Sequence, residues 1–208
     1  MSVLPKLAVS LGRKDEVPNQ DLAKEIVASR NTAGVTELVE NLSNKDASIA
    51  SDCIKTLYEI GYLEPSLISP HVDEFIRLLF SKHNRIVWGA MMALATIAPL
   101  APEKLFLSRD RIKTAMKDGS VITVDNGIKV LAQVAAASPE YNRELFPFLL
   151  DHLKHCRTKE VPQHAESTLV CIHSDNKAAF ETVLKERLTG MTPSQASRIR
   201  KILRQISS

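Results

Sequence analysis

Glycine is scarce in this chain, with seven among 208 residues. Runs of Val, Ile, Thr and aromatics of the kind that make strands are missing as well, so the composition argues against sheets and for helices. No stretch approaches the ~20 uninterrupted apolar residues of a membrane-spanning helix. Met1 to Gly12 carries one lysine and a short, broken apolar stretch, which does not read as a signal peptide. The three cysteines, Cys53, Cys156 and Cys171, are an odd number; two fall inside apolar helical patterns. That usage fits free thiols in a reducing, cytoplasmic setting better than a disulfide framework. A net charge of +3 is too small to imply a nucleic-acid partner by itself. Its distribution is uneven: residues 1–150 hold 17 basic and 18 acidic side chains, residues 151–208 hold 10 and 6.

Catalytic signatures are absent too. There is no glycine-rich phosphate loop, no Gly-x-Ser-x-Gly elbow and no His-Glu-x-x-His. Glu37, Glu40, Asp73 and Glu74 sit at ordinary spacing on exposed helix faces and read as solvating charge rather than a paired acid and base. The expectation is a protein that is not an enzyme and needs no cofactor.

What the chain does have is a period. Pro65, Pro102 and Pro139 lie 37 residues apart, and the apolar pattern before each repeats in step. Ala50, Cys53, Leu57, Ile60 and Gly61 align with Val87, Ala90, Leu94, Ile97 and Ala98, and again with Val124, Gly127, Leu131, Val134 and Ala135. A fixed period of this size signals stacked supersecondary units, none of which buries its apolar face alone. The spacing predicts first helices at 35–42, 70–81, 107–117, 141–156 and 177–188. Second helices are predicted at 47–62, 84–100, 122–138, 161–173 and 193–206, with a further helix at 21–29. Asp46, Asn84 and Ser120 are the expected N-caps. Pro70, Pro162 and Pro193 sit near helix starts, where a missing N–H costs nothing.

The run from Val87 to Ala98, with its valine, small residue and leucine, resembles the inner helix of a HEAT or armadillo-type repeat. Resemblance extends over roughly residues 33–206. It implies an all-α, right-handed α-α superhelix of about five helix pairs. The whole chain would be one repeat domain, with 1–32 as an N-terminal capping segment and 193–208 as a C-terminal capping helix. Many HEAT repeats place an arginine directly after the valine; here Ser51, Trp88 and Asp125 stand there. Stacking should therefore rest on apolar packing, which suits the armadillo-like variant equally well.

At 100° per residue from a core-facing Leu94, Met92 and Thr96 point away from the core, with Gly89 beside them. Shifting by the repeat adds Asp52, Lys55 and Glu59, then Lys129 and Gln133 with Asn126. His164, Ser167 and Cys171 follow, and the last helix gives Arg198, Lys201 and Gln205. Tyr58 is expected at the groove edge, and Trp88 at its flank, about 120° from the core direction. The expected role is a protein-interaction scaffold using Lys55, Tyr58, Trp88, Met92, Thr96, Lys129 and Gln133 on a concave groove. Its gradient from mixed charge to a basic end suits an extended ligand with an acidic segment.

The alternative is nucleic-acid binding, or repair in the manner of HEAT-like DNA glycosylases, through the basic C-terminal half. Arg198, Arg200, Lys201 and Arg204 form two neighbouring stripes suited to phosphate. No catalytic residue of that family carries over.

Residues 152–173 concentrate histidine and cysteine: His152, His155, Cys156, His164, Cys171 and His173. Zinc takes three or four such ligands. Against a metal, Cys156 continues the Leu149–Leu153 apolar stripe, and the spacing matches no closed zinc motif. The sequence alone therefore assigns no metal.

Overall fold

The computed structural model describes residues 2–207, and among them there is no strand. Twelve α-helices are present: α1 Val17–Ser29, α2 Thr32–Glu40, α3 Ala47–Leu63, α4 Val72–Leu78, α5 Asn84–Ile97, α6 Pro102–Leu107, α7 Arg109–Lys117, α8 Val121–Ala137, α9 Pro139–His155, α10 Val161–Thr168, α11 Ser174–Arg187 and α12 Pro193–Ser207. They fall into two compact units, 1–127 and 128–208, with the division inside α8.

The expected helix pairs are present, with instructive differences. Helix α1 begins at Val17 rather than at residue 21, because Pro18 lies in the first turn, where proline is tolerated. The helix expected over 107–117 is α7, and a short additional helix, α6, precedes it and ends at Leu107 before Ser108. Asp46 caps α3 by accepting from Ser48 N–H, and Ser120 Oγ accepts from Thr123 N–H. Asn84 is not a cap; it is the first residue of α5, and His83 before it makes no side-chain capping bond.

The periodic prolines do more than follow the second helices. Pro102 and Pro139 open α6 and α9, and Pro65 opens a 3-10 turn at Pro65–Leu67. One residue precedes each: Glu64, Ala101 and Ser138, with ψ of 82°, 44° and 154°. The α region is disfavoured for a residue before proline, and at these three positions the helix breaks. Ser138 also accepts from Tyr141 N–H and so caps α9.

In the first unit, α3 lies between α1 and α5; α2 packs on α3 and α4 on α5. Being flanked on both sides, α3 is buried from Ala50 nearly to its end, Lys55, Thr56 and Tyr58 included. The approach of α5 is close at two glycines. A Cβ on Gly89 would lie 2.7 Å from Ile54 Cγ1. One on Gly61 would meet Thr96 Oγ1 and lie 2.8 Å from Ile68 Cδ1. Residues preceding α1 are tied down as well: Val9 N–H donates to Asp52 at 2.8 Å, and Ala8 N–H to the buried Asn19 at 3.0 Å.

In the second unit, α9 packs on α10 and α11, and α12 packs on α10 and α11. Here α10 stops at Thr168, and the rest of its expected length is a 3-10 turn, Leu169–Cys171. The Cys171 carbonyl at that end is received by two buried asparagines, Asn142 at 2.8 Å and Asn176 at 3.0 Å. They also bond each other at 3.1 Å. A buried carbonyl is costly to leave unmet, and these amides meet it.

The close approach is testable. Alanine at position 61 gains helix propensity but forces Thr96 and Ile68 to move, for a net loss of about 1–2 kcal/mol. Denaturant unfolding should show that loss for Gly61→Ala and recover much of it in the Gly61→Ala, Thr96→Ala double variant.

Candidate functional site

The face expected to bind a partner is organised differently in the first unit than helix geometry alone suggests. Lys55 and Tyr58 are not on the surface; they are 5% and 4% exposed. Lys55 Nζ lies 2.9 Å from Glu16 and 2.6 Å from Glu59. Glu16 reaches across to Arg85, whose Nη2 is 2.8 Å away. One carboxylate from just before α1 therefore joins cations on α3 and α5. Burial works to lower the Lys55 ammonium, but its hydrogen bonds to Glu16 and Glu59 prevail and hold it above the usual lysine range. Glu16 is held below the usual carboxylate value of 4.5, chiefly by the bond from Lys55 and against the effect of burial.

An aromatic row accompanies the charges. Tyr58 stands edge-on to Tyr62 at 6.1 Å between centroids and tilted against Trp88 at 6.2 Å. Lys55 and Arg85 lie over the Tyr58 and Trp88 rings at 4.8 and 5.2 Å. Tyr62 is 53% exposed, while Trp88 and Met92 are half-buried. Thr96 is half-buried against Gly61 and donates to the Ala93 carbonyl at 2.7 Å, so its hydroxyl is spoken for. Glu16 and Tyr62 were missed from sequence. Tyr62 stands four residues after Tyr58 on one helix face, a signal that was available. Glu16, far from any repeat position, left none.

In the second unit, Lys129 is exposed and Gln133 half-exposed, one turn apart on α8. Arg198, Arg200, Lys201 and Arg204 are all exposed on α12. Arg198 is engaged: its guanidinium makes a bidentate pair with Glu166, at 2.8 and 2.6 Å.

The histidine–cysteine segment separates into two kinds of residue. His155 is exposed beside Asp151, and Cys171 and His173 serve the end of α10 and the cap of α11. His152, Cys156 and His164 come together, each with a potential ligand atom within 4.8 Å of the others. His152 Nε2 and His164 Nδ1 are hydrogen-bonded at 2.9 Å, and His164 is wholly buried. Burial pushes the Cys156 thiol up to about 11, and those of Cys53 and Cys171 to about 12. All three are neutral thiols at pH 7.

Among solved structures, the chain is similar to a designed armadillo repeat protein in complex with the peptide (KR)4. That match has a TM-score of 0.69 at 13% identity and covers 90% of this chain and 86% of the other. A second designed armadillo repeat protein matches at TM-score 0.67 and 14% identity, over 98% and 99% of the two chains. A mutant of Kap121p matches at TM-score 0.65 and 14% identity, over 92% of this chain and 20% of its own. No family model and no curated protein matches the chain. The fold is thus an all-α repeat of armadillo/HEAT type. None of the helices, among the described residues, is long and apolar enough to cross a membrane.

The ionic network makes a pH-dependent prediction. Because the folded protein lowers the Glu16 pKa, the network's stabilisation is present above pH 4.5 and lost as pH falls through that lowered value. Lys55→Met should cost about 2 kcal/mol at pH 7, less than a fully buried pair because Glu16 remains 43% exposed. Unfolding measured from pH 7 down to pH 3 should show a shallower acid decline in the variant than in the wild type.

Proposed function

We propose that this chain is a non-catalytic scaffold that binds a partner polypeptide on the α3–α5 face of its first unit, the kind of second-helix face that repeats of this type offer to partners. One observation carries the reading. Trp88 and Met92, a turn apart on α5, stay partly exposed while Lys55, Arg85 and Glu16 beside them are paired with one another. An aromatic ridge next to charges already satisfied presents apolar area that binds without first breaking ion pairs, and tryptophan is enriched among residues that dominate interfaces. Tyr62 extends the ridge within the first unit, while Lys129 and Gln133 are a separate polar pair on the second unit's part of α8. Lys55 and Tyr58 act beneath the surface, as supports for Trp88. A peptide complex of a designed protein with this fold supports the reading.

Nucleic-acid binding through α12 draws less support, since Arg198 already holds Glu166. The two readings part under nuclease. Tagged full-length protein, with and without nuclease, should capture a specific polypeptide from native lysate. Its affinity should fall by about 30-fold or more in Trp88→Ala and in Met92→Glu, as for a central interface residue. Circular dichroism would confirm that both variants remain helical. Recovery of nuclease-sensitive material alone, with affinity falling steeply with salt, would move the function to nucleic acid.

A further inference from the structure

We propose that His152, Cys156 and His164 form a binding site for a zinc ion, with the fourth coordination position open to water or an added ligand. His152 and Cys156 are four residues apart, so they share one face at the C-terminal end of α9. His164 comes from α10, which packs against α9. An ion held by these three would link the two helices.

The separations suit tetrahedral zinc. Bonds of about 2.0–2.1 Å to nitrogen and about 2.3 Å to sulfur place ligand atoms about 3.3–3.6 Å apart. Here the two ring nitrogens are 2.9 Å apart, and the sulfur completes a triangle with no side above 4.8 Å. The rings need to part by about 0.4 Å and the thiol to swing inward to reach that geometry. The rings are tilted at 52° with centroids 4.8 Å apart, so they are not stacked face to face.

A core histidine satisfied by a neighbouring histidine explains the nitrogen pair. It does not explain Cys156. The Cys156 sulfur has a long contact, 3.9 Å, with the Leu153 carbonyl, worth little as a hydrogen bond. Yet its backbone is held firmly: Arg187 on α11 donates to the Cys156 carbonyl at 2.6 Å and also to that of Lys154. Arg187 thus ties down the C-terminal end of α9, where two of the three ligand residues sit. In the His–His bond one nitrogen donates a proton to the other. Zinc takes the place of that proton, which moves to the other nitrogen of the same ring so that both imidazoles bind as neutral ligands, while the thiol proton passes to solvent as the thiolate forms.

Ligand chemistry narrows the ion. One thiolate and two imidazoles form a borderline-soft set that selects zinc or copper over magnesium or calcium. Three protein ligands, rather than four, are the pattern that leaves a position for exchange. His152 and Cys156 are each partly exposed, which gives the ion a route in.

Cobalt(II), which reports geometry in its spectrum, is the first probe. Titrated into the reduced, metal-free full chain, it should saturate at one equivalent. It should give the intense bands of four-coordinate cobalt with a thiolate charge-transfer band, and zinc should displace it. Cys156→Ser should abolish the charge-transfer band, and His152→Ala should weaken binding at least tenfold. His155→Ala, one position away and exposed, should change neither. X-ray absorption on the zinc-loaded wild type requires no variant, and should show one sulfur and two imidazole nitrogens around the ion. Failure to saturate, a weak six-coordinate spectrum, binding undiminished by Cys156→Ser, or a first shell without sulfur would each overturn the site.

Discussion

The first unit depends on how closely α5 can lie against α3. Gly61 and Gly89 remove the two side chains that would hold the helices apart, and Thr96 and Ile54 occupy the space. Once α5 is that close, and α1 is packed along the other flank, α3 has almost no free face. Its polar residues must then find partners inside the structure. Lys55 finds Glu16 and Glu59, and Thr56 donates to the Asp52 carbonyl at 2.9 Å. The ion network follows from the packing and does not compete with it.

This chain of causes explains what was readable in advance. The 37-residue period, the alternation of helices and most of their limits follow from local rules: apolar spacing, prolines and caps. Placing side chains on the face of a helix requires knowing what lies on either side. A projection from Leu94 has no knowledge of neighbours, so it sent Lys55 and Thr96 outward, where the array has another helix or the segment before α1. Glu16 illustrates the same limit: it acts across 39 residues to Lys55 and 69 to Arg85, and no local pattern encodes that. For the second unit, the histidine and cysteine enrichment was visible. The selection of His152, Cys156 and His164 from six candidates was not, because the three meet only when α9 and α10 pack.

The two units divide their polar chemistry in different ways. In the first, charge is spent laterally, tying the segment before α1 to α3 and α5, and the residues left partly open are aromatic and sulfur-bearing. In the second, buried amides hold the end of α10, a histidine pair with a nearby thiol lies between α9 and α10, and cations collect on α12. An aromatic ridge and a cluster of histidine and cysteine thus arise on the same kind of fold from different choices of buried polar residue.

The single-residue junctions at Glu64, Ala101 and Ser138 have a further consequence. Each is the whole length of chain between the end of one helical segment and the proline that starts the next. A replaced side chain in such a repeat is a local injury, absorbed by its immediate neighbours. An inserted or deleted residue at a junction changes where the following helix starts, so its apolar stripe no longer meets the core it packs on without a shift of the helix. Apart from the prolines and the Ser138 cap, these turns should therefore tolerate a change of residue far better than a change of length.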